Sequence, residues 1–182
     1  MTAADVSVRL AWADDARAIA ALQLRSWPAT YGDVVPTEAF PQGPEAVDAA
    51  TQAWAESLAR PRDARQRALV ALERHRVTGF IVTAPASDPD CDPVAVGEVV
   101  ELVLDPGERG RGHGSRLLQA AADTLVADGF ARAVFWVVAA DDTTRGFLAD
   151  AGWAADGAHR ELDLDGSGAV TVKQVRLHTA LA

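Results

Sequence analysis

The sequence predicts an α/β (α+β) fold: one mixed sheet of about seven strands with helices on both faces. Three observations predict it. Short stretches alternate apolar and polar residues, as half-buried strands do. Longer stretches after Asp14 and after Ser115 repeat apolar residues at helical spacing. The two patterns interleave as strand, two helices, three strands, helix, strand, helix, two strands. With 182 residues, the chain suits one domain with a sizeable core and is tight for two. Residues 1–182 are therefore expected to form a single domain, with 1–5 and 86–93 the best candidates for disorder.

Taken in order, Val6 to Leu10 alternates as a strand. Asp14 and Asp15 open a helix carrying Ala16, Ile19, Ala20 and Leu22, with acids at its positive end. Pro28 is expected to break or kink that helix between Ser26 and Gly32. A second, alanine-rich helix is expected from Pro44 to Leu58. Ala68 to Glu73 and Thr78 to Thr83 read as a hairpin turning at Arg74–Arg76. A Pro/Asp-rich loop leads to the β-branched stretch Val94 to Leu104, which stops at Asp105-Pro106-Gly107. A helix over Ser115 to Ala127 presents Leu117, Leu118, Ala121, Leu125 and Val126, and ends at Gly129. Ala133 to Val138 is a strand and Thr143 to Ala151 a short helix. Arg160 to Leu164 and Val170 to His178 form a final hairpin about Asp165-Gly166-Ser167-Gly168.

Composition bounds the function. Hydrophobic residues make up 49% and charged residues 24%, an ordinary globular profile. No apolar run approaches the roughly 20 residues that span a bilayer, and 1–5 has no signal-peptide character. A cytoplasmic protein without a membrane partner is expected. The net charge of −9 argues against nucleic acid, which needs a dense basic face. Cys91 is the single cysteine, and its acidic loop should raise the thiol pKa rather than activate it. His75, His113, His159 and His178 show no metal-ligand spacing, so no metal site is expected. A homodimer is open on base rates alone.

The most informative segment is Leu102 to Leu118, where a buried strand meets a tight turn, the loop Arg109-Gly110-Arg111-Gly112-His113-Gly114, and a helix opening at Ser115. Alternate glycines let backbone approach a ligand, and free N–H groups at a helix start favour an anion. Arg109, Arg111 and Arg116 add positive charge. A pyrophosphate is the natural guest. The Walker ending Gly-Lys-Ser/Thr is absent. The dinucleotide fingerprint fails in both frames, at Ser115 and at Leu117.

The loop instead resembles the Arg/Gln-x-x-Gly-x-Gly/Ala signature of the GNAT superfamily of N-acetyltransferases, with Arg109, Gly112 and Gly114 in its fixed positions. The block Val134 to Trp153 is similar to the family's second block through Phe147, Gly152 and Trp153, and Trp27, Tyr31 and Pro36 look like its first-helix region. The resemblance implies a mostly antiparallel sheet with a splayed V at the central strands. It implies acetyl-CoA as cosubstrate and an amine as acceptor. It implies cofactor contacts at Leu102, Val103, Leu104, Arg109, Gly110, Arg111, Gly112, His113, Gly114, Ser115, Asp141 and Arg145. Two positions depart from it: Leu148 stands where a tyrosine often acts as general acid, and Asp141 where an asparagine often holds the pantetheine arm.

Direct acetyl transfer needs a base for the amine, whose free pKa is about 10.4, and a donor for the oxyanion. Glu98 and Glu101, on the strand entering the loop, are the candidate bases; only a bulge lets both face one side. Val103 or Leu104 N–H is the candidate oxyanion donor. Tyr31, the single tyrosine, is the candidate acid, and Trp27 and Tyr31 the candidate acceptor wall. The expected function is acetyl-CoA-dependent N-acetylation of a small molecule or peptide; the alternative is an acetyl-CoA-binding sensor that no longer catalyses.

Overall fold

A computed structural model describes residues 6–182; the segment 1–5, named above as a candidate for disorder, lies outside the described residues. The elements are β1 (Val6–Leu10), α1 (Ala16–Tyr31), α2 (Gly43–Ala59), β2 (Arg67–Glu73), β3 (Arg76–Pro85), β4 (Val96–Leu104), α3 (His113–Ala127), β5 (Arg132–Val138), α4 (Asp142–Asp150), β6 (Ala154–Asp163) and β7 (Thr171–Ala180). They build one seven-stranded sheet in the order β1-β2-β3-β4-β5-β7-β6. Every neighbouring pair is antiparallel except β4 and β5. That parallel pair needs a crossover, which α3 supplies.

The sheet buries both faces. Leu117, Ala121 and Leu125 of α3 pack with Ile81, Val99, Phe135 and Leu148 on one. Ile19 and Leu22 of α1 pack with Val70, Phe80 and Val103 on the other, where Trp54 of α2 joins them. Val126, expected on the buried face of α3, is 41% exposed. No helix among the described residues is long and apolar enough to cross a membrane.

Two irregularities in β4 position the site. First, β4 pairs with β5 only from Val96–Arg132 to Val99–Phe135, although both strands run on to Leu104 and Val138. Past Val99 the sheet is therefore open between its central strands. Second, the β3–β4 register jumps: Val82 opposes Glu101 and Thr83 opposes Val99, leaving Val100 without a partner. This is the bulge that places Glu98 and Glu101 on one face, and Val100 is pushed out to 51% exposure.

Three expectations are corrected. Helix α1 runs unbroken through Pro28. The helix continues although the proline lacks the N–H that would bond Leu24 O and its ring crowds that carbonyl; Gly32 N–H closes the helix on Pro28 O at 2.9 Å. Strand β6 begins at Ala154, well before Arg160. Its first residues, Ala154 to Gly157, carry no alternation, and pairing with β7 recruits them despite a register irregularity before His159. The 86–93 loop is tied down. Ala86 and Cys91 are buried against Val96 and Val134. Arg176 of β7 reaches Asp90 through two bonds of 2.7 and 2.8 Å, and Asp156 through one of 2.7 Å. Trp136 Nε1 donates to Asp88 at 2.6 Å. Two of the loop's acids, Asp88 and Asp90, are partners for this arginine. Burial pushes the Cys91 thiol pKa up.

Candidate active site

The open V holds a cavity of about 270 Å³. Arg109 and Gly110 of the glycine-rich loop, Trp27 and Tyr31 of α1, and Glu101 with Leu102–Leu104 of β4 all line it. A cofactor arm and an acceptor can therefore share one cavity beside β4.

The loop end suits an anion. Gly112 is the N-cap of α3 with φ of 82°, and Gly110 has φ of 76°, a left-handed geometry that favours glycine. No atom lies within 4 Å of where a Cβ at Gly110 would stand, so that face is open to a ligand. Inside α3 the first N–H bond is Arg116 N to Gly112 O at 3.2 Å, which leaves the preceding N–H groups without helical partners. Gly114 is needed for packing: a Cβ there would lie 3.0 Å from Leu104 Cδ1.

The structure divides the predicted cofactor residues. Leu102, Val103, Leu104, Arg109, Gly110 and Asp141 line the cavity. Arg111 is turned away, to Glu73 at 2.8 Å and to Glu108. His113 is buried, with neither ring nitrogen hydrogen-bonded. Ser115 is exposed in the first turn of α3, and Arg145 is exposed and donates to Ala139 O at 3.0 Å. Asp141 caps α4, accepting from Thr144 N at 2.9 Å and Thr144 Oγ1 at 2.6 Å.

The two candidate bases share a face but not a cavity. Glu98 is buried and accepts from Ser87 N and Oγ at 3.0 and 2.9 Å. It opens onto a separate groove beside α2, with Val100 forming a wall of both. Glu101 faces the cavity. Gln23 Nε2 donates to both its oxygens, at 3.1 and 2.8 Å. Trp54 Nε1 donates to Gln23 Oε1 at 2.9 Å, which fixes the amide with its NH2 toward the carboxylate. Burial raises the Glu101 pKa, and contacts from Gln23 and Trp27 partly offset it. Tyr31, also lining the cavity, has its pKa raised by burial and then by the charge of Glu101, so its phenol holds its proton.

Sequence reading did not single out Gln23, Val138 or Gln174, which is reached only through the fold. Gln23 carried a signal: Gln23, Trp27 and Tyr31 recur every four residues and form one stripe of α1. Trp54 orients Gln23 and packs edge-on against Phe80 at 5.2 Å. Leu148 is fully buried in the α3-side core, and its neighbour Phe147 lines the cavity.

Fold and site together define an α/β protein in which a glycine-rich loop at a helix start and a half-buried carboxylate share one cleft. A family profile described as "Acetyltransferase (GNAT) family" matches residues 16–153, and the chain belongs to the GNAT acetyltransferase family. A comparison with curated protein sequences finds no match. Among solved structures, an N-acetyltransferase from Staphylococcus aureus Mu50 superposes with a TM-score of 0.72 at 19% identity, covering 98% of this chain and 99% of that one. The Salmonella typhimurium YncA protein, solved with its cofactor acetyl-CoA, gives 0.70 at 15% identity, covering 98% and 95%. The PaiA N-acetyltransferase from Thermoplasma acidophilum, in complex with coenzyme A, gives 0.65 at 16%, covering 97% and 99%. At these identities the likeness is one of fold.

Proposed function

We propose that this chain transfers an acetyl group from acetyl-CoA to the primary amine of a small molecule or peptide by direct attack on the thioester. The observation that carries it is the single cavity joining the glycine-rich loop to Glu101 through the open edge of β4. The family membership and the two neighbours solved with acetyl-CoA or coenzyme A support the donor.

The pyrophosphate is held by the N–H groups around Gly110–Gly114, with Arg109 beside them. The arm lies along Leu102–Leu104, whose backbone faces no strand on that side. Acetyl-CoA supplies an activated acyl carbon. Glu101 takes the proton of the acceptor ammonium, directly or through water, as the amine nitrogen bonds to that carbon. Val103 or Leu104 N–H stabilises the oxyanion. As the C–S bond breaks, the electron pair stays on sulfur. Tyr31 gives its proton to that sulfur and recovers the second proton that the nitrogen sheds as the amide forms, and a thiol pKa of about 8.5 makes the thiolate a tolerable leaving group even unaided.

The test is release of free thiol from acetyl-CoA with an amine panel, for the native protein and for Glu101→Gln. Amine-dependent thiol release that falls about 100-fold or more in Glu101→Gln, with acetyl-CoA affinity retained, is expected. Tight acetyl-CoA binding with no turnover on any amine would instead leave the sensor reading.

A further inference from the structure

The acceptor end of the cavity contains more than an apolar wall. On the β5–β7–β6 half of the sheet, Trp136 and Gln174 line it. Arg160 of β6 is paired in register with Gln174 of β7, and its side chain reaches back across the sheet toward the V. Its Nε donates to Gln174 Oε1 at 2.8 Å, and its guanidinium carbon sits 4.3 Å from the Trp136 ring centroid. Two contacts thus fix a long side chain, and its terminal nitrogens have no hydrogen bond or ion pair among the described residues. A guanidinium only donates, so Gln174 must turn its oxygen to Arg160 and its NH2 the other way. That NH2 has no partner among the described residues, although Gln174 is 6% exposed. The nearby carboxylate Asp88 is already engaged by Trp136 Nε1 at 2.6 Å and by Arg176 at 3.4 Å.

We infer that Arg160 and Gln174, stacked on and beside Trp136, form an anion subsite that selects acceptors carrying a carboxylate or similar acidic group close to the amine, as in an α-amino acid. This inference rests on the amine-acetylation reading above. The open V leaves room for such an acceptor. The guanidinium lies over a β5 residue, and paired strands stand about 4.8 Å apart. The β4–β5 gap is wider where pairing has ended. An α-amino acid bonded at both ends spans about 8–9 Å from base to guanidinium, allowing about 2.8 Å for each hydrogen bond. The two ends of the acceptor would then meet opposite charges: ammonium at Glu101 and acid at Arg160.

The experiment uses matched acceptor pairs, each an α-amino acid and the amine lacking its carboxylate, with native protein and Arg160→Met. Calorimetry of the same amino acids on coenzyme A-bound protein runs in parallel. Native enzyme is expected to favour the acidic member in kcat/KM. Arg160→Met should raise KM for it about 10- to 100-fold with kcat little changed, leave the neutral amine unaffected, and weaken amino-acid binding equally. Arg160→Lys should retain part of the preference. Equal use of both members by native enzyme, or loss of both alike in Arg160→Met, would overturn the subsite while leaving amine acetylation standing. Absence of turnover and of amino-acid binding with every pair would overturn both.

Discussion

At the residue scale, Glu101 is the group on which most depends. Its pKa is raised chiefly by burial, so the fold prefers its protonated form. The sign follows. The stability it contributes is fully present below its unfolded pKa and is lost as pH rises through the folded pKa, so at neutral pH the buried carboxylate is a liability. Glu101→Gln should therefore lose activity yet gain about 0.5–2 kcal/mol of stability at neutral pH, read by denaturant midpoint. The acid limb of kcat/KM should follow Glu101 ionisation. Trp54→Phe keeps the aromatic packing on Phe80 but removes the N–H that orients Gln23. Without that hold the carboxylate loses support for its charge, and the acid limb should move to higher pH. An unmoved limb with normal stability would mean that Gln23 is only structural. Gln23 itself was legible as part of a helical stripe; its role required knowing that β4 lies beneath α1.

Two elements behave differently from what their sequence suggested. The 86–93 loop reads as a disordered acidic stretch, but Arg176, with its side chain 8% exposed, holds Asp90 and Asp156. The Asp90 pKa is lowered chiefly by that arginine; for Asp156, burial pushes upward but the Ala158 N–H and then Arg176 outweigh it and leave the pKa lowered, so the stability both contribute is present above the ordinary carboxylate range and lost as pH falls through the lowered values. Arg176→Ala should lower stability, measured by chemical denaturation, with early proteolysis at 86–93. Helix α4 offers a second case. The departure from the family pattern at Leu148 suggests restoring a tyrosine, yet Leu148 is completely buried among α3-side core residues. Leu148→Tyr should overpack that core, lose about 1–3 kcal/mol, and leave kcat unimproved; a gain in kcat would show that the side chain can reach the cleft.

At the scale of the whole molecule, the cavity bridges both halves of the sheet, since its walls come from α1, β4, β5, α4 and β7. A ligand there braces the open V. Acetyl-CoA at about 100 times its Kd should add about 2.7 kcal/mol, a rise of roughly 5–10 °C in Tm, readable by calorimetric scan. A shift no larger than that given by adenine nucleotides alone would mean that the arm does not enter the cleft.

The sequence by itself determined the order of elements, because periods of two and of about 3.6 are set by local backbone geometry. It also located the glycine-rich loop, because Arg109 to Gly114 are contiguous and their conformational demands are local. It offered Glu98 and Glu101 as candidate bases and named the bulge as the condition for both to share a face. Only the tertiary structure decided that the bulge falls at Val100, because register depends on the pairing of β4 with β3. Only it separated the two glutamates into different cavities, joined Gln23 to Glu101 across 78 positions, and set Arg160 over Trp136. Those relations are made by strand pairing and packing between distant segments, and no local pattern in the chain encodes them.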